Sequence, residues 1–199
     1  LVGRMFTAKM IELGLANYPG FFTGGGVRSG GPVLVYWPAL IDSKHIEETV
    51  HIDGKEIDVK PTNQLDLEET YYQKQPIQIP PPPSGQTLNK PLGELFGARS
   101  GDKGGCANIG VWAKNENAFS FLNNYLTVEK IKELMPDIKE FEIDRYELPN
   151  ILSLNFYIHD ILEDGVSSNT RKDGQAKSLG EYLRAKYADI PKSLLEENI

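Results

Sequence analysis

Residues 97–108 read Gly97-Ala98-Arg99-Ser100-Gly101-Asp102-Lys103-Gly104-Gly105-Cys106-Ala107-Asn108, and four glycines, two cations and one carboxylate fall within them. Glycines let the backbone turn at positive φ, and such turns aim N–H groups inward to make concave sites for anions. Arg99 can grip a carboxylate or phosphate with two parallel hydrogen bonds, and Lys103 adds a point charge. The candidate ligand residues are therefore Arg99, Ser100, Gly101, Asp102, Lys103, Gly104 and Gly105, with Asn108 at the wall. The spacing matches neither G-x-x-x-x-G-K-[ST] nor G-x-G-x-x-G, so neither common nucleotide motif is present. The plain alternative is a tight, solvated hairpin that happens to carry charges.

Other residues offer less. His159 and Asn155 fall on one face of a predicted strand and are the candidates for acid/base work near a carbonyl. The alternative for His159 is a ring packed under a helix or closing a strand. Cys106 in a glycine-rich stretch beside Lys103 has the surroundings of an activated thiol. Arg145 and Glu147 are read as bracing the glycine stretch across the sheet. The three histidines and one cysteine show no H-x-x-x-H or C-x-x-C spacing, so no metal site is expected. No G-x-S-x-G elbow is present to place a catalytic serine. No cofactor is indicated.

The elements that must position these residues follow from periodicity. Leu92 to Ala98 and Asn108 to Lys114 read as strands on either side of a glycine-rich loop. Ala118, Phe121, Leu122 and Tyr125 have helical spacing. Thr127 is placed to cap a second helix that Pro136 ends. Phe141, Ile143 and Arg145 alternate in a third strand, and Leu152, Leu154, Phe156 and Ile158 in a fourth. Ser178 and Glu181 match a capping box that opens a helix through about Tyr187. The result is an α+β fold, a two-layer sandwich with a four-stranded sheet and helices on one face.

Upstream, Val2 to Leu13 has the pattern of an amphipathic helix, with Gly14 at its C-terminal end. Its apolar face is expected to be partly exposed or covered by another chain. Residues 23–31 hold five glycines and read as a surface loop. Val33 to Trp37 is a short β-prone run ended by Pro38. Val50 and Ile52 lead into Asp53-Gly54, and Ile57 and Val59 leave it, a strong hairpin signal. His45 and His51 are read as surface residues. Residues 64–78 are polar without period, and Pro80 to Pro83 favour an extended polyproline spacer. These shifts divide the chain into residues 1–63, a linker over 64–90, and a domain over 91–199, with a break in packing between about Pro61 and Asn89.

The chain has 199 residues, 40% hydrophobic and 25% charged, an ordinary globular balance. A net charge of −7 argues against a nucleic-acid partner, though local fields in a cleft can still favour a small anion. One cysteine allows no internal disulfide and favours a reducing compartment. No run reaches the roughly 18 apolar residues of a membrane span, so a cytoplasmic protein, or one of the mitochondrial matrix, is expected.

The glycine stretch running on to Ile109-Gly110-Val111-Trp112 resembles the opening of the C-terminal domain of the acyclic terpene utilization (AtuA-like) family. The resemblance continues through Asp144-Arg145-Tyr146-Glu147-Leu148-Pro149-Asn150, Leu154-Asn155-Phe156 with His159, and Gln175 to Arg184. Tyr18-Pro19-Gly20-Phe21 and Tyr36-Trp37-Pro38-Ala39 resemble the end of the large domain that precedes it in that family. The resemblance implies a ferredoxin-like antiparallel fold for residues 91–199, preceded by the remnant of a larger α/β domain over 1–63. The ββα-then-ββα order read here is not the βαββαβ usual for that fold. The resemblance further implies a role in catabolism of branched acyclic terpenes or related acids at the CoA-thioester stage, with a CoA thioester or carboxylate as ligand. An oligomer, or a partner subunit carrying the missing large domain, is expected. The rival reading is a non-catalytic assembly domain of a larger catabolic complex.

Overall fold

The structure, a computed structural model, describes residues 3–16, 19, 30–59 and 79–196. The chain divides into two compact units, Trp37–Gln78 and the pair of segments Leu1–Tyr36 with Ile79–Ile199.

In the smaller unit the expected hairpin forms: β1 (Glu48–Ile52) pairs antiparallel with β2 (Lys55–Val59), Val50 opposite Ile57. Asp53 (φ 48°) and Gly54 (φ 73°) both take positive φ, the requirement of a turn that matches strand twist. All ten strand residues are exposed, as are His45 and His51.

In the larger unit, α1 (Arg4–Leu15) buries no residue, and Met5, Phe6, Ile11 and Leu13 stand in the open. Gly14 lies inside this helix, and Ala16 caps it. Residues 20–29, which hold most of the upstream glycine stretch, fall outside the described residues. Val33 to Trp37 does not form the expected strand. Among the described residues its backbone hydrogen bond to the sandwich is the Tyr36 N–H, which donates to Asp164 O at 3.2 Å.

The sandwich begins with β3 (Thr87–Pro91), which pairs antiparallel with β8 (Tyr187–Pro191). Thr87 to Lys90 therefore belong to a ladder rather than to a linker. The proline run is docked as well, since the Ser120 hydroxyl donates to Pro80 O and Ile79 packs on the core. Leu92–Glu94 is a 3-10 turn rather than strand. The main sheet then forms from β4 (Gly97–Lys103), β5 (Cys106–Trp112), β6 (Ile143–Leu148) and β7 (Ser153–Ile158), in the spatial order β4-β5-β7-β6 with every pair antiparallel.

Period-two alternation decides which face is buried. Ala107, Ile109 and Val111 of β5 and Leu154, Phe156 and Ile158 of β7 are at most 3% exposed. Over them pack α2 (Glu116–Tyr125), α3 (Val128–Leu134) and α4 (Leu179–Arg184), which contribute Phe119, Leu122, Ile131, Leu179 and Leu183 to one continuous core. Asn115 caps α2 by accepting from Ala118 N at 2.8 Å, and Thr127 caps α3 by accepting from Lys130 N at 3.1 Å.

The expected capping box on α4 does not form. Asp173 takes both the Ser178 hydroxyl (2.7 Å) and the Ser178 N–H (2.8 Å), and Glu181 turns to Arg184 at 2.9 Å. The helix stops at Arg184 because Ala188 and Ile190 alternate into the core as strand β8, ahead of the short α5 (Lys192–Glu196).

Candidate functional site

Residues 97–103 are not a loop. They form a strand whose register sets Arg99 opposite Gly110, Gly101 opposite Asn108 and Gly97 opposite Trp112. The backbone groups that face β5 are spent on the ladder, so the expected nest of glycine N–H groups is absent here. The turn itself is only Gly104-Gly105. Gly104 takes φ +68° beneath the Tyr36 ring, and a side chain at Gly105 would collide with the Glu163 carbonyl oxygen. Both glycines are held there by close packing and lie outside the cleft lining.

What the strand does instead is line up Arg99, Gly101 and Lys103 on the face turned away from the helices. With Asn108 and Gly110 of β5 they line a cleft of about 320 Å³, completed by Ser100, Asp102 and Lys177. Its floor is bare of side chains. A Cβ at Gly101 would touch only the Lys177 ammonium, at 3.6 Å, and one at Gly110 only the Arg99 carbonyl oxygen, at 3.8 Å. Lys103 Nζ donates to the carbonyl of Asp102 at 2.9 Å. Among the described residues no carboxylate pairs with the Arg99 guanidinium or the Lys177 ammonium.

Lys177 is held by Ser100. That buried hydroxyl donates to Lys177 O at 3.1 Å and accepts from Gly180 N at 2.9 Å, tying the start of α4 to β4. Gly180 is needed at this crossing, because a Cβ there would press on the Arg99 backbone at 3.3 Å. Lys177 is not among the sequence-derived candidates; the one signal for it is its place inside the Gln175-to-Arg184 stretch.

His159 and Asn155 share the parity of β7 but not a hydrogen bond. Asn155 accepts from Asn108 Nδ2 at 2.8 Å. His159 Nε2 meets Asp144 Oδ2 at 2.9 Å, and the Tyr146 hydroxyl donates to the same oxygen at 3.3 Å. The Asp144 contact raises the pKa of His159 above its ordinary value, and the His159 contact lowers that of Asp144. Tyr157 packs edge-on against His159 at 4.9 Å. A hydrogen bond with the Cys106 thiol, followed by burial, pushes the Tyr157 pKa up to about 12.

Glu142 joins this group. The ligating atoms of Glu142, Asp144 and His159 lie within 4.8 Å of one another, the one grouping among the described residues with the chemistry to hold a metal ion. Sequence spacing misses it because the carboxylates come from β6 and its approach, while the histidine follows β7. Arg145 also departs from expectation. It donates to Leu126 O and to Asn123, so it braces the α2–α3 junction rather than the glycine stretch.

A helix-backed, four-stranded antiparallel sheet whose other face carries no helix among the described residues defines a two-layer α+β domain of ferredoxin-like kind. Residues 90–188 match the family model described as the AtuA ferredoxin-like domain, and the chain carries that domain. No curated protein and no solved structure matches the chain. None of the helices among the described residues is long and apolar enough to cross a membrane.

Proposed function

We propose that the AtuA ferredoxin-like domain of this chain holds an anionic group, a carboxylate or the phosphate of a CoA thioester, in the cleft over Gly101 and Gly110. The observation that carries this reading is the convergence of Arg99, Lys103 and Lys177 on a floor without side chains. Arg99 supplies the planar fork that suits a carboxylate or phosphate, and the two ammonium groups add charge. The molecule's net charge of −7 does not oppose this, because the local field decides binding inside a cleft.

On the same footing, the protein serves catabolism of branched acyclic terpenes or related acids, in the cytoplasm or mitochondrial matrix. Residues 1–63 are the end of a large AtuA-like domain, the residues from 64 up to the docked proline run carry the connection, and an oligomer or partner subunit supplies the rest of the site.

A charge-assisted contact is worth about 1.5–3 kcal/mol, so Arg99→Ala is expected to weaken anion binding by about tenfold to a hundredfold with the fold intact. Arg99→Lys recovers only part of that loss, since it lacks the fork. Calorimetric titration of the parent and both variants with CoA thioesters and free branched acids checks this. If no anion binds the parent, or Arg99→Ala binds equally well, the face is an assembly surface and the rival reading replaces this one.

A further inference from the structure

The cationic cleft adjoins a second cavity on its β5 side. Gly110 also lines this second cavity, of about 420 Å³, bounded by Trp112, Tyr146, Leu148, Ile151 and Asn155. Both cavities lie on the open sheet face, where β5 contributes Asn108, Gly110 and Trp112 in turn. Their characters differ. The first is edged by three cations and one carboxylate, Asp102; in the second, Trp112, Tyr146, Leu148 and Ile151 are between 42% and 65% exposed. The Trp112 indole occupies the place that a Gly97 side chain would take on the paired strand β4. At the shared Gly110 a Cβ would meet only the Arg99 carbonyl oxygen, at 3.8 Å, and the Asn108–Asn155 hydrogen bond joins a residue of the first lining to one of the second.

Resting on the anion-binding reading above, we propose that the two cavities are one site and that its ligand is an amphipathic anion. A carboxylate or phosphate head sits among Arg99, Lys103 and Lys177. An apolar body crosses Gly110 and lies against Trp112, Tyr146, Leu148 and Ile151. Apolar walls with a few convergent polar groups are the usual make-up of a small-molecule site, and both volumes fall at the low end of the usual range. Burying the body removes from water the large apolar side chains that the open sheet face exposes. Trp112 and Leu148 are then the residues that select for the body, and Arg99 the residue that selects for the head.

The full chain is titrated calorimetrically with acetate, butyrate, hexanoate and octanoate, and with inorganic phosphate and octyl phosphate. Each methylene is expected to tighten binding about threefold, so octanoate exceeds butyrate by about thirtyfold to a hundredfold. Trp112→Ala and Leu148→Ala, which line the second cavity and not the first, each remove at least fivefold of octanoate affinity while leaving phosphate binding within twofold. Circular dichroism checks that both variants fold, and either one that folds decides the matter. Gains along either the carboxylate or the phosphate series support the proposal and identify the head. Phosphate or acetate binding with no gain from the tail overturns this inference and leaves anion binding standing. Octanoate binding that survives Arg99→Ala unchanged also overturns it, since the head would then lie elsewhere. Failure of every probe to bind overturns both.

Discussion

The register of β6 and β7 sets Asp144 opposite Tyr157, two residues before His159, and the Asp144–His159 contact shifts both groups in directions that favour the charged pair. The folded pKa of His159 is raised, so its contribution to stability is full below the ordinary value of 6.5 and disappears as pH rises through the raised value. The folded pKa of Asp144 is lowered, so its contribution is present above 3.8 and disappears as pH falls through the lowered value. The ion pair therefore supports the fold only between those two limits. Asp144→Asn is expected to lower the urea midpoint at pH 5 more than at pH 9, and to bring the His159 titration, followed by NMR, back toward its ordinary value. Equal losses at both pH values would show that the contact acts as packing alone.

At the scale of elements, one hydroxyl joins α4 to the edge strand β4. Ser100 is 8% exposed and makes two hydrogen bonds across 77 and 80 positions of sequence. Ser100→Ala leaves the Gly180 N–H buried without its partner, which costs about 1–3 kcal/mol. Denaturant unfolding measures this directly. The same change loosens the segment that carries Lys177, so anion affinity is expected to fall even where the protein is fully folded. A variant with unchanged affinity would separate Lys177 from the cleft's chemistry.

Across the whole molecule, every buried core residue among the described positions lies between Leu92 and Leu194. The N-terminal helix adds none. A chain of residues 79–199 is therefore expected to unfold in one cooperative transition. It loses the Tyr36 N–H to Asp164 O bond, a change of about 1 kcal/mol. Calorimetry or urea unfolding of that chain against the full one tests it. A non-cooperative transition would mean that the upstream segments stabilise the sandwich. By the same logic Leu13→Glu, on the exposed face of α1, leaves the sandwich's midpoint where it was.

Local signals carried much of this fold. The alternation through Leu154, Phe156 and Ile158 named β7 and its buried face, Thr127 marked the start of α3, and Asp53-Gly54 marked the β1–β2 turn. Arg99 and Lys103 stood out from their types and the glycines around them. These features are written in neighbouring residues, through side-chain period, capping chemistry and the φ that a turn demands. Tertiary structure decided the rest, because a strand's sequence tells its period but not its partner. Only the pairing of β6 with β7 brings Asp144 to His159, and only the crossing of α4 over β4 brings Lys177 to Gly101. Residues 187–191 became strand because β3 was there to pair with them, and Asp173 took Ser178 from its capping role because the chain folds back within five residues. The glycine stretch likewise became a hairpin rather than a nest, since β5 offered its ladder to the same backbone groups that an anion would have used.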